Sequence, residues 1–114
     1  MYIFFLSFQK TLDILKMDIE GSEWIALAHM AQKGELATVR QLMVEFHLRH
    51  AVENDQDEAR KRLPVLKAIE RAGFKRYYTH LNPRCRELVG AYAVVRTTCY
   101  ETYFLNTNMA RSGW

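Results

Sequence analysis

LDILKMDIEGSEW, residues Leu12–Trp24, decides how the chain reads. Leu12, Ile14, Leu15, Met17 and Ile19 form a short apolar run, which suits a strand buried on both faces of a parallel sheet. The character then changes at once. Asp18 and Glu20 are acidic, Gly21 permits a tight turn, and Ser22 can cap a helix. Trp24, Leu27, Ala28 and Ala31 follow at helical spacing. The stretch therefore reads as strand, acidic turn, helix. In open α/β sheets ligands bind outside the carboxyl ends of the strands, where Asp18 and Glu20 fall. The plainer account is an acidic helix start, favoured by the helix dipole.

The helix is expected to run to about Lys33, with Gly34 as a left-handed stop. Val39–Leu48 is the second strand, apolar at Leu42, Met43, Val44, Phe46 and Leu48. Glu45 and His47 close it, and residues two apart share a face. Strand, helix and strand make a right-handed unit with parallel strands. Arg49–Asp57 is polar and reads as a loop. A helix follows to Gly73, with Leu63, Leu66, Ile69 and Ala72 as its buried stripe. Pro64 predicts either the start of its regular part or a kink. Phe74–His80 is a third, partly exposed strand. Asn82–Pro83 opens a turn, Arg84–Gly90 reads as a loop, and Ala91–Leu105 as a final antiparallel strand. The fold class is α/β: about four strands with flanking helices. Residues 12–106 form the body, 1–11 a leader or extra strand around Tyr2–Gln9, and 107–114 a tail.

The 114 residues suffice for one small domain, and 49% hydrophobic with 25% charged residues is the balance of a globular chain. A net charge of +3, scattered apart from Arg60, Lys61 and Arg62, shows no stripe for nucleic acid. No apolar run approaches the ~20 residues of a membrane span, and Tyr2–Phe8 lacks the flanks of a signal peptide.

The chemistry-bearing set is Asp18, Glu20, Glu45 and His47, which neighbouring strands bring to one sheet edge. Three carboxylates and an imidazole there can bind a metal, act as acid and base, or hold the hydroxyls and amine of a ligand. No metal is assigned to them. His80 and Asn82 close the third strand, and His80 could reach the same rim, although a surface role suits His80 better. No serine has an elbow context, and no GxGxxG or GxxxxGK follows a strand.

ILKMDIEGSEW at Ile14–Trp24 resembles the motif after the fourth strand of FkbM-like S-adenosylmethionine-dependent methyltransferases, which commonly read LLKIDVEGAE. QLMVEFHL at Gln41–Leu48 is similar to the family's fifth strand. HLNPRC at His80–Cys85 and CYETYFLN at Cys99–Asn106 are similar to an animal methyltransferase-like subgroup. The resemblance implies a class I methyltransferase fold, Rossmann-like, of which this chain matches the second half. The Gly-rich cofactor loop has no counterpart in it, so a fragment with weak or no activity alone is expected. Carried over, Asp18 and Gly21 lie on the cofactor side, and Asp18, Glu20, Glu45 and His47 serve catalysis by positioning the acceptor or removing its proton. S-adenosylmethionine is the implied cofactor, and a sugar, lipid or small molecule the implied acceptor. Cys85 and Cys99 either bridge a hairpin, which suits a secretory compartment, or stay free.

Two other readings remain open. One is a non-catalytic interaction module that self-associates through an exposed strand edge, with marginal stability. The other is a metal-dependent hydrolase built on the acidic and His cluster.

Overall fold

The computed structural model describes residues 11–48, 55–89 and 94–109. The expected strand at Tyr2–Gln9 and most of the tail lie outside these. β1 (Leu12–Met17) leads through the acidic turn into α1 (Glu23–Gln32). Gly34 ends that helix region in the left-handed conformation, φ 72°, as glycine at this position allows. A short 3-10 turn (Glu35–Thr38) precedes β2 (Val39–His47), and α2 (Asp55–Arg71) precedes β3 (Phe74–Leu81). β4 (Arg86–Val89), β5 (Val94–Thr97) and β6 (Cys99–Asn106) complete the chain.

The main sheet has the order β1-β2-β6-β3. β1 and β2 are parallel, in register from Leu12 opposite Val39 to Met17 opposite Val44. β6 lies antiparallel between β2 and β3. This is the α/β sheet with a reversed last strand that the sequence implies, a partial Rossmann-like methyltransferase sheet. Leu15, Met17, Leu42, Val44, Phe46 and Phe104 from the sheet pack with Leu27 and Met30 of α1 and Val65 and Ile69 of α2. Burying each such side chain is worth about 1.5–3 kcal/mol. Asn106 is also buried, and its Nδ2 donates to the Val39 carbonyl at 2.9 Å, so the polar group stays satisfied.

Five expectations are corrected. β1 is not covered on both faces among the described residues: Leu15 and Met17 are buried, but Ile14 is 50% exposed. Both helices contribute to one core, which leaves the alternate positions open. The stripe of α2 is only half the expected one. Ile69 is buried and Ala72 packs against the core as expected, but Leu63 and Leu66 are 51% and 37% exposed and Val65 is buried instead. An apolar residue every three or four positions is compatible with two overlapping faces, and packing against α1 selects one. Pro64 does not start the helix, which runs through it from Asp55 to Arg71. The ring sits at an exposed position, and the cost is the backbone bond to Arg60 that proline cannot donate. Arg84–Gly90 is not all loop, because β4 pairs with β5 in a two-stranded sheet. The last strand is broken at Thr98, whose N–H donates to the Cys85 carbonyl and whose carbonyl accepts from Leu48 N–H.

Candidate functional site

Because β1 and β2 run parallel, their carboxyl ends bring Asp18 and His47 side by side. The turn between β1 and α1 is tight. Gly21 has φ 102°, and Glu20 has φ 57°, a left-handed conformation that costs an ordinary residue about 1–2 kcal/mol. That conformation lies beside the functional candidates, where such strain is commonly held.

The centre of the site is Glu23, at 0% exposure. Its Oε2 accepts from Gly21 N–H at 2.9 Å, and its Oε1 accepts from His47 N–H at 2.6 Å. The same Oε1 lies 3.1 Å from His47 Nδ1. Trp24 Nε1 donates to the His47 carbonyl at 3.0 Å. His47 is thus held by its N–H, its carbonyl and its ring. The other ring nitrogen, Nε2, turns toward Asp18 Oδ1 at 3.6 Å and Glu20 Oε2 at 4.0 Å.

A family model for the methyltransferase FkbM domain matches residues 2–76. The chain belongs to the FkbM methyltransferase family. No curated protein and no solved structure shows a match to it. The matched residues of the FkbM domain include Asp18, Glu20, Gly21, Glu23, Glu45 and His47. The later rim, with Asn82 and the two cysteines, lies beyond them. No helix among the described residues is long and apolar enough to cross a membrane.

Glu45 stands on the other side of Asp18. Asn82 Nδ2 donates to its Oε1 at 2.8 Å. Burial lifts its carboxyl above the ordinary 4.5; the Asn82 hydrogen bond lowers it, the neighbouring Asp18 raises it, and His47 lowers it. Between 4.5 and the raised value the folded chain keeps a proton that the unfolded chain has lost. Stability therefore falls as pH rises through that window. Glu45→Gln is expected to remove this part of the pH dependence and raise the urea midpoint at neutral pH. Urea midpoints measured from below pH 4.5 to neutrality check it, and an unchanged slope in the variant would refute the assignment.

Cys85 and Cys99 form a disulfide across a separation of 14 residues. Cys99 lies opposite His47 in the β2–β6 ladder, so the bridge ties the β4–β5 arm to the rim. It resolves the alternative that the sequence left open.

Asp18, Glu20 and His47 thus come together, with Glu45 beside them. His80 does not join them: it is exposed, pairs opposite Glu101 and stacks on the Tyr78 ring. Sequence reasoning missed Glu23 and the bond from Asn82. A signal for Glu23 existed, because Glu23, Leu27 and Met30 share one helical face. Asn82 left no such signal, since its partner is 37 residues away.

Proposed function

We propose that this chain supplies the acceptor side of an S-adenosylmethionine-dependent methyl transfer. The observation that carries the reading is His47, clamped by Glu23 and facing Asp18 and Glu20 at the carboxyl ends of two parallel strands, in a chain of a methyltransferase family. The cofactor would supply a methyl group on a sulfonium. In the transfer the bond from sulfur to methyl breaks as the bond from the acceptor's oxygen or nitrogen to methyl forms, and the acceptor loses a proton.

Such a reaction needs mostly alignment and exclusion of alternatives. Asp18 and Gly21 take the cofactor side of the turn. Asp18, Glu20 and His47 orient the acceptor heteroatom. Glu45, with its raised proton affinity, takes the proton. The rim of charged and polar groups suits an acceptor that carries hydroxyls or amines, as a sugar, a lipid headgroup or a small molecule does.

The 114 residues contain no Gly-rich loop after a strand, so weak cofactor binding by this chain alone is expected. Calorimetry with S-adenosylmethionine tests the reading. Saturable binding, weakened about tenfold or more by Asp18→Asn, supports it. No saturable binding, or equal binding by the variant, would remove the cofactor assignment. A non-catalytic reading is favoured by one observation: among the described residues β1 has no partner on its outer edge, and Ile14, Tyr77 and Tyr78 are exposed. Absent cofactor binding together with concentration-dependent association would put that reading ahead.

A further inference from the structure

We infer that the groove between α2 and the sheet binds a single-chain monocarboxylate, its carboxylate held by Arg76, Thr79 and Thr102 and its apolar chain lying along α2. The groove has a volume of about 580 Å³, within the range of about 300–1,000 Å³ usual for small-molecule sites. Trp24, Phe46, Leu66, Phe74, Tyr100 and Phe104 form its apolar wall. Glu45 and Phe46 are consecutive in β2 and point to opposite faces, so the groove lies on the other side of the sheet from Glu45. The inference goes beyond the proposed methyl transfer and rests on neither the cofactor nor the acidic rim.

A bulge in β3 keeps this space open. Arg76 stands opposite Phe104, but the register then shifts across Tyr77, so Tyr78 stands opposite Tyr103 and Thr79 opposite Thr102. In an unbroken strand side chains alternate, and Tyr78 would follow Arg76 onto the face toward α2. The extra residue sends Tyr78 to the other face, where its ring centroid lies 5.4 Å from that of Tyr103. The groove receives the smaller Thr79 in its place. Bulges re-aim side chains in this way beside functional sites.

The polar groups on the wall select the ligand. Thr102 is 5% exposed, yet its hydroxyl makes no hydrogen bond among the described residues. It lines the groove opposite Thr79. A buried hydroxyl without a partner is unfavourable, and a ligand oxygen in the groove would supply the partner. Arg76 takes the next place on the same face and forms no ion pair among the described residues. A guanidinium holds a carboxylate through two parallel N–H donors, and each threonine hydroxyl can donate one more hydrogen bond. Lys75 adds a second positive charge to the wall and Glu70, on α2, offsets one, which leaves a single net positive charge. One carboxylate balances it, whereas a phosphate monoester, with a charge of roughly −1.5 to −2, overshoots it. The aromatic and aliphatic wall then takes the apolar chain out of water.

Calorimetry with dodecanoate at neutral pH, below the concentration at which it forms micelles, tests the site. One saturable dodecanoate per chain is expected. Dodecyl phosphate and dodecyltrimethylammonium carry the same chain on another head, and butanoate the same head on a short chain. Each should bind at least about tenfold more weakly. Arg76→Gln, at an exposed residue, should weaken dodecanoate binding by at least about tenfold. Leu66→Trp, which places a ring in the groove from a residue 37% exposed, should abolish it. Thr102→Val keeps the shape and drops the hydroxyl, so it should weaken binding without lowering the urea midpoint of the free chain. Circular dichroism checks the fold of each variant. No saturable binding, equal or tighter binding of either other head group, or binding unchanged in any of the three variants would overturn the assignment. None of these titrations contains S-adenosylmethionine, so failure here leaves the proposed methyl transfer standing.

Discussion

Glu23→Ala is expected to destabilise the chain by at least about 3 kcal/mol, enough to unfold a small domain whose total stability lies near the low end of about 5–15 kcal/mol. The substitution removes one carboxylate, strands two backbone donors, Gly21 N–H and His47 N–H, and takes away the partner of His47 Nδ1. Each buried donor left without an acceptor costs about 1–3 kcal/mol. Glu23→Gln should be milder. Its single amide oxygen can serve the His47 side, but its NH₂ then faces the Gly21 N–H, donor against donor. Urea denaturation followed by circular dichroism measures both. Asp18→Asn provides the contrast, because that side chain is half exposed and the fold should barely notice its change. If Glu23→Ala cost less than about 1 kcal/mol, water would be replacing the carboxylate and the clamp on His47 would be no clamp.

Removing the disulfide should have the next largest effect. Cys85→Ser with Cys99→Ser opens a loop of about 15 residues, for which chain entropy predicts a loss of about 3 kcal/mol. The loss should concentrate at the rim. Thr98 N–H donates to the Cys85 carbonyl, Leu48 N–H to the Thr98 carbonyl, and Asn82 N–H to the Cys99 carbonyl, so the bridged segment is stitched to the end of β2. Reductant alone should shift the urea midpoint of the wild-type chain as far as the double substitution does. Mass spectrometry of alkylated protein, before and after reduction, counts the thiols. Equal midpoints with and without reductant would mean that the bridge adds nothing to stability.

Both results depend on contacts between segments far apart in the chain, and that marks the limit of the sequence. The strand, acidic turn and helix at Leu12–Gln32 were legible because each rests on a local signal: an apolar run, a glycine at a positive φ, then helical spacing. The same holds for Glu45 and His47, placed at the end of β2 by an apolar strand of ordinary length. Two such strands joined by one helix must lie parallel, so the meeting of Asp18, Glu20 and His47 at one edge was already implied.

Other features were decided only in three dimensions. Leu63 and Leu66 compete with Val65 for the buried face of α2 beside Ile69, and only packing against α1 settles that Val65 goes inside. β4 is a strand because β5 pairs with it, not because Arg86–Val89 has a strong pattern of its own. The bridge between Cys85 and Cys99 needs β6 to pass the end of β3, and the Asn82 bond to Glu45 needs the same. Local propensity is carried by neighbours in the chain, whereas burial, pairing and the choice of hydrogen-bond partner depend on which segments meet in space. So the sequence alone determined that acids and an imidazole gather at one sheet edge. The tertiary structure decided that Glu23 is buried among them and sets the direction in which His47 points.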